Sequence, residues 1–382
     1  MALPRREKLS SLELIRFGAA FTVLIAHYFH FYMRGYGYEG YAFEHQPLFG
    51  LLEPFYRYGT RAVEVFWILS GFIFFHQYAE VIQERSVSGG KFFWLRFSRL
   101  YPLHFVTLIA VALLQWAYRA KYGVFFIVEL NDLRHFVLNL LFASYWGFQH
   151  GFSFNTPAWS VSVEVLVYFL FFVVTRRLGA SLVTVLLCLG ASAGLNFYLG
   201  SEPVINRCAF YFYAGGLSWL AYRQFAVRPW PWRAGATMAG LVLVATCARH
   251  FSATHDVDFA LNFEVPAVIF LFALHSRLLG RRISAAADAL GNLTYASYLI
   301  HFPLQIAFML AAGMLGLNSG FANSPAFLAG YLIGVFGLSH FVYSRFELPV
   351  QNALRARLTA RESSAASSFG RAVAGLFLFG KK

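Results

Sequence analysis

Ten apolar stretches of bilayer length run through this chain and leave it few other folds. A spanning helix needs about 17 to 25 mostly apolar residues. Stretches of that order fall near 12–33, 58–80, 98–118, 158–176, 180–198, 204–222, 234–251, 263–279, 289–315 and 325–346. Peptide groups in hydrocarbon must be paired within their own segment, so such stretches fold as helices. With 58% of residues hydrophobic and 13% charged, against about 25% charged in soluble domains, the expected class is an all-α polytopic membrane protein with about ten transmembrane helices. One integral domain would occupy 1–350, followed by a tail, 351–382, whose Ser- and Ala-rich composition after Arg361 predicts mobility.

The formal charge of +13 would suit a nucleic-acid partner if it gathered on one surface. Instead, most of the 31 lysines and arginines fall on alternate loops: Arg5, Arg6 and Lys8; Arg85 to Arg99; Arg176 and Arg177; Arg223 to Arg233; Arg277 to Arg282; and the tail from Arg345. That alternation is the positive-inside bias. It predicts both termini in the cytoplasm, a bilayer rather than nucleic acid as partner, and a multi-pass location in an inner or plasma membrane. The first apolar stretch is interrupted by Arg16 and lacks a small-residue cleavage site, so it is expected to remain as a helix. Cys188, Cys208 and Cys247 stand at unrelated spacings and read as packing residues, with neither a disulfide framework nor a thiolate metal site.

Ionisable residues inside such spans cost at least about 2.5 kcal/mol on insertion scales and by default mark function. Arg16 and His27 share the first stretch. Their separation of eleven residues is about three turns with roughly 20° to spare, which places them on one face about 16 Å apart. Four further stretches carry chemistry: Glu64 with Ser70 and Gly71; Arg96 and Arg99, three apart and so on one face; Trp159, Ser160 and Glu164; and His301 just before Pro303. Glu347 closes the last span. Depth arithmetic sets His27, Glu64 and Glu164 each about 9 Å below one surface, with Arg16, Arg96, Arg99 and Glu347 toward the other.

Several of these residues have plainer readings. Arg96 and Arg99 also suit headgroup snorkelling, Trp159 an aromatic belt, Ser70 and Gly71 close helix packing, and His301 a bond to a carbonyl freed by Pro303. Two outer loops, 34–57 and 119–157, are aromatic and polar, fit either for carbohydrate contact or for the headgroup level. The apolar piece near 135–148 is too short to span comfortably.

Taken in order, Arg16 to His27 (Arg-x10-His), Leu69 to Phe72 (Leu-Ser-Gly-Phe), Arg96 to Pro102 (Arg-x-x-Arg-x-Tyr-Pro), Trp159 to Glu164 (Trp-Ser-x-Ser-x-Glu) and Tyr298 to Pro303 (Tyr-Leu-x-His-x-Pro) resemble the membrane-bound acyltransferase 3 family over about 9–350. The family comprises acyl-CoA-dependent O-acyltransferases of bacterial surface glycans. Glu13 and Glu64 stand where it often has Asp, and Val165 where a second Glu often follows. The resemblance implies a reaction moving an acyl group, acetyl expected, from cytoplasmic acyl-CoA to a hydroxyl of an extracytoplasmic glycan. No tightly bound cofactor and no metal is implied.

In that scheme Arg16, Arg96 and Arg99, with Ser70 and Gly71, hold the donor, because guanidinium forks match phosphate oxygens. His27 acts as general base or as an acyl-histidine nucleophile, and Glu64 or Glu164 orients it, with His301 also catalytic. Trp159, Ser160 and Glu347 bind substrate. The same buried groups would suit a proton-coupled transporter or flippase, and a protein that hands acyl groups to a separate transferase is a third reading. The chain lacks His-Glu-x-x-His, Cys-x-x-Cys, a Lys-Ser/Thr phosphate loop and a Gly-x-Ser-x-Gly elbow.

Overall fold

The computed structural model describes residues 7–34, 37–200 and 204–358. Its elements are nearly all helical, and the two-residue strands β1 (Met33–Arg34) and β2 (Gly37–Tyr38) form a small antiparallel pair. The helices are α1 (Ser10–Ala26), tightening into a 3₁₀ turn over His27–Tyr32, α2 (Phe49–Tyr58), α3 (Ala62–Gln83), α4 (Gly89–Tyr122), α5 (Leu133–Leu140), α6 (Ala158–Leu178), α7 (Leu182–Leu199), α8 (Val204–Ala226) and α9 (Trp230–Thr254). Then come the single turn α10 (Val257–Phe259), a π turn at Ala260–Glu264, α11 (Val265–Leu274), α12 (Arg281–Met314), α13 (Pro325–Val342) and a second π turn at Tyr343–Glu347.

Among the described residues, nine helical segments are long and apolar enough to cross a membrane. This is one fewer than expected, and the difference is α8. It has the length, at 23 residues, but Asn206, Arg207 and paired glycines lower its hydropathy. It can be less apolar because it packs at the centre, against α3, α7, α11 and α6. Its crossing with α3 is backbone on backbone: a Cβ on Gly71 would lie 1.8 Å from the Phe212 carbonyl oxygen, and one on Gly215 1.9 Å from that of Ile68. Lipid gives little hydrophobic drive for helix association, so close packing between small residues supplies it.

Three boundaries differ from the sequence expectation. Helix α4 starts at Gly89 rather than near 98, because Ser88 caps it, its Oγ accepting from the Lys91 amide at 3.2 Å. Arg96 and Arg99 therefore lie about two to three turns inside the helix. Helix α12 begins at Arg281 rather than 289. After the second π turn the last helix continues to Leu358, so the first residues of the expected tail are helical; residues 359–382 lie outside the described residues. The apolar piece in the second outer loop forms only α5, eight residues long.

Candidate active site

A cavity of about 670 Å³ enters the bundle between α1, α3, α4, α6 and α12, within the usual size of ligand pockets. At the end carrying the N-termini of α1, α4 and α12 it is lined by Lys8, Glu13, Arg16, Arg96, Arg99 and Arg355. Tyr78, Ser70, Glu164 and Tyr168 line its length, and Phe66, Ser160 and Tyr298 its inner end.

Four of the five cations at the basic end, Lys8, Arg16, Arg96 and Arg355, have a specific hold. Glu13 bridges two of them: its Oε2 accepts from Arg16 Nη1 at 2.9 Å and its Oε1 lies 3.5 Å from Lys8 Nζ, which also meets Asp288 at 3.0 Å. Gly291 makes room for that carboxylate, since a Cβ there would sit 2.0 Å from Glu13 Oε2. Arg96 donates to the Tyr78 hydroxyl at 2.5 Å and lies 5.1 Å from the centre of the Phe74 ring, while its buried Nε makes no hydrogen bond. Arg355 reaches Ser98 Oγ at 3.4 Å, and Trp94 Nε1 donates to the Leu354 carbonyl at 3.0 Å, so the last helix is tied to α4 beside this cluster. Sequence reasoning passed over Arg355 because it lay in the expected tail.

Glu164 is taken up by the hydroxyls of Ser70 and Tyr168 within the cavity. Glu64, 2% exposed, lies 3.7 Å from Arg61 Nε and 3.5 Å from Arg207 Nε. Neither carboxylate orients His27, contrary to the sequence expectation. The reason is local: where α1 tightens, His27 Nδ1 reaches back one turn to the Val23 carbonyl at 3.0 Å. A carbonyl only accepts, so Nδ1 carries the proton and the neutral ring presents Nε2 as its lone pair.

His27 belongs to a cluster of three histidines. Its ring centre lies 5.2 Å from His30 and 5.2 Å from His301. His30 Nδ1 donates to Gln305 Oε1 at 2.9 Å, and Gln305 Nε2 donates to the His27 carbonyl at 3.0 Å and the Tyr331 hydroxyl at 3.2 Å. His301 Nδ1 donates to the Ser297 carbonyl at 3.1 Å, leaving a buried Nε2 without a hydrogen bond. Pro303 does free a carbonyl one turn back, but Asn155 Nδ2 takes it, bonding Leu299 O at 3.0 Å. His30 follows His27 by three residues, a spacing that would have flagged it; Gln305 and Asn155 carry no such signal. Among the described residues no group of His, Cys, Asp and Glu is arranged to hold a metal ion.

The remaining sequence candidates divide. Ser70 and Ser160 line the cavity, but Gly71 belongs to the α3–α8 crossing described above, where backbone fills the space a donor would need. Trp159 lies outside the cavity lining and stacks in an aromatic group with Tyr145 at 5.3 Å, Phe152 at 6.0 Å and Trp67 at 5.9 Å. Glu347, 4% exposed and delivered by the second π turn, lies behind the cavity wall near Arg99.

No solved structure matches the chain. A curated relative, "Protein 2 in picA locus" of Rhizobium radiobacter, is 32% identical over 119 residues, covering 28% of this chain and 61% of that protein. The sequence profile described as an acyltransferase domain matches residues 9–343, from the start of α1 to the second π turn, and so covers α1, α3, α4, α6 and α12 around the cavity but not Lys8 or Arg355 at its basic end. The chain thus belongs to the acyltransferase 3 family of multi-pass membrane proteins.

Proposed function

We propose that the protein transfers an acyl group, acetyl by expectation, from cytoplasmic acyl-CoA to a hydroxyl of a surface carbohydrate beyond an inner or plasma membrane. The observation that carries this reading is the cavity itself: a space that runs from a cationic mouth inward to Tyr298 suits a long donor whose phosphates stay at one end while its thioester travels inward. Arg16, Arg96 and Arg99 grip the phosphates of CoA, and Ser70, Glu164 and Tyr168 flank the pantetheine arm.

His27 Nε2 takes the proton of the acceptor hydroxyl as that oxygen attacks the thioester carbonyl. The tetrahedral adduct collapses by breaking the C–S bond, and the proton passes to the departing thiolate. The products are an ester and CoA thiol. The Val23 carbonyl keeps the base in the right tautomer, the part a carboxylate has in a hydrolase triad. The loop-borne aromatics around Trp159 offer the acceptor a stacking surface.

Membranes containing the protein, given acyl-CoA labelled in its acyl group, should pass label to glycan or lipid-linked acceptor. Transfer by His27→Ala at the parent rate sinks the base assignment. Label that moves only when a soluble enzyme is added replaces this reading with the hand-over one, and proton-coupled movement of glycan without acylation replaces it with transport.

A further inference from the structure

The donor cavity does not reach the histidines. Its lining ends at Phe66, Ser160 and Tyr298, and neither His27 nor His301 is part of it. What stands between is the Tyr298 ring, one turn before His301 on α12. It lies 6.1 Å from His301 and 5.9 Å from Phe66, edge to face with both. Its hydroxyl meets Ser160 Oγ at 2.7 Å, and both side chains are buried. Ser160 Oγ also lies 3.3 Å from the Pro157 carbonyl, so it has a second acceptor ready if the tyrosine leaves.

We propose that Tyr298 and Ser160 form a latch between the donor cavity and the histidine cluster, which a thioester passes only when the Tyr298 ring swings aside. This rests on the reading of acyl-CoA as donor and His27 as base. A thioester lying in the cavity meets the tyrosine face before any imidazole. Edge contacts and one hydrogen bond hold that ring, and Pro157 limits the loss when it rotates, because Ser160 keeps a partner. Closed, the latch keeps an activated acyl group away from a base that would otherwise hand it to water. Tyr298 is therefore a positioning residue of the closed state.

The test is acyl-CoA hydrolysis without acceptor, measured beside transfer with acceptor. Tyr298→Phe keeps the ring and removes the latch bond, and Ser160→Ala removes it from the other side. Each should raise acceptor-independent hydrolysis by roughly three- to tenfold, the factor one net hydrogen bond supplies. The double variant should hydrolyse no faster than either single one, and adding His27→Ala should abolish the gain. Hydrolysis unchanged in both single variants, while the parent transfers normally, overturns the latch alone. Transfer and hydrolysis falling together in Tyr298→Phe but not in Ser160→Ala also overturns it, by making the phenol part of the chemistry. A parent that neither transfers nor hydrolyses acyl-CoA overturns the donor reading, and the latch falls with it.

Discussion

The basic end of the cavity and the histidine cluster solve the same problem in opposite ways. At the basic end, charged groups keep a shared space and bind one another across it: Lys8, Glu13, Arg16 and Asp288 form one linked set, and Arg96 leans on Tyr78 and Phe74. Around His27 no charged partner is used. Val23, Ser297 and Gln305 supply neutral acceptors within a packed aromatic core that includes Tyr28, Phe31 and Phe302. A charged group beside an open cavity tolerates mobile counter-ions, whereas an imidazole with no ionised partner, half-buried like His27 or fully buried like His30 and His301, has its tautomer fixed by groups that do not themselves ionise. One region is built to exchange ions with a ligand, the other to hold a lone pair still.

The largest effect should come where neither region has slack. Gly71→Ala drives a Cβ into the Phe212 backbone, and backbone cannot yield as a side-chain tip can, so the variant should give little or no folded protein in detergent extracts. Gly215→Ala should do the same from the other helix. Folded Gly71→Ala with parent melting behaviour would dismiss the crossing as a constraint. Next in size is His27→Ala, expected to lower the transfer rate by about 10² to 10⁴, the range for a lost general base. His27→Gln should not restore it, since an amide offers no comparable base. Recovery with Gln would reduce His27 to a spacer and erase the contrast between the two regions.

These outcomes bear on what the sequence made legible. Every expected span coincides with a helix because hydrocarbon imposes both length and apolarity. Partnerships across the bundle followed no such rule. Asn155 meets Leu299 from 144 residues away and Gln305 meets His30 from 275, and only packing decides such pairs. Depth arithmetic placed Glu64 and Glu164 level with His27 but was silent on which way each faced. Glu64 turned to Arg207 on α8, a helix whose central position no hydropathy profile reports. Arg355 was hidden for a different reason, since it lay in the expected tail, whereas the last helix continues past the π turn to Leu358.

The cation layer predicts smaller, separable effects. Arg96→Ala combined with Arg99→Ala should raise the KM for acyl-CoA by about ten- to a hundredfold, the loss of one or two charge-assisted contacts, and leave acceptor dependence alone. Arg355→Ala should raise it less, since one guanidinium of four is removed, and the effect should shrink as salt screens the phosphates. If Arg355→Ala instead changes kcat with KM fixed, the basic end takes part in more than grip, and its contrast with the histidine end weakens. Gly291→Ala offers a subtler probe: by displacing Glu13 it should free Arg16 and alter donor affinity without touching any cation.

The smallest effect concerns Asp132 and His135, a carboxylate–imidazole pair of the kind His27 lacks. Asp132 caps α5, accepting from the His135 amide at 2.9 Å and lying 2.9 Å from His135 Nδ1. Those two bonds, the amide first, hold its carboxyl below the ordinary value. A carboxyl lowered in the folded state favours folding at all pH above its unfolded value of about 3.9, and that contribution drains away as the pH falls through the folded one. Asp132→Ala should therefore cost about 1 kcal/mol at neutral pH, the usual worth of such a cap, and progressively less as the pH falls below the unfolded value of about 3.9, as read by thermal melting. Because Asp132 is exposed and the pair lies outside the spans, transfer at neutral pH should stay near the parent rate. A large loss of transfer with little change in melting would mean that the outer loop presents His135 to the acceptor, placing a second imidazole, oriented by a carboxylate, on the path that the carbonyl-oriented His27 was assigned alone.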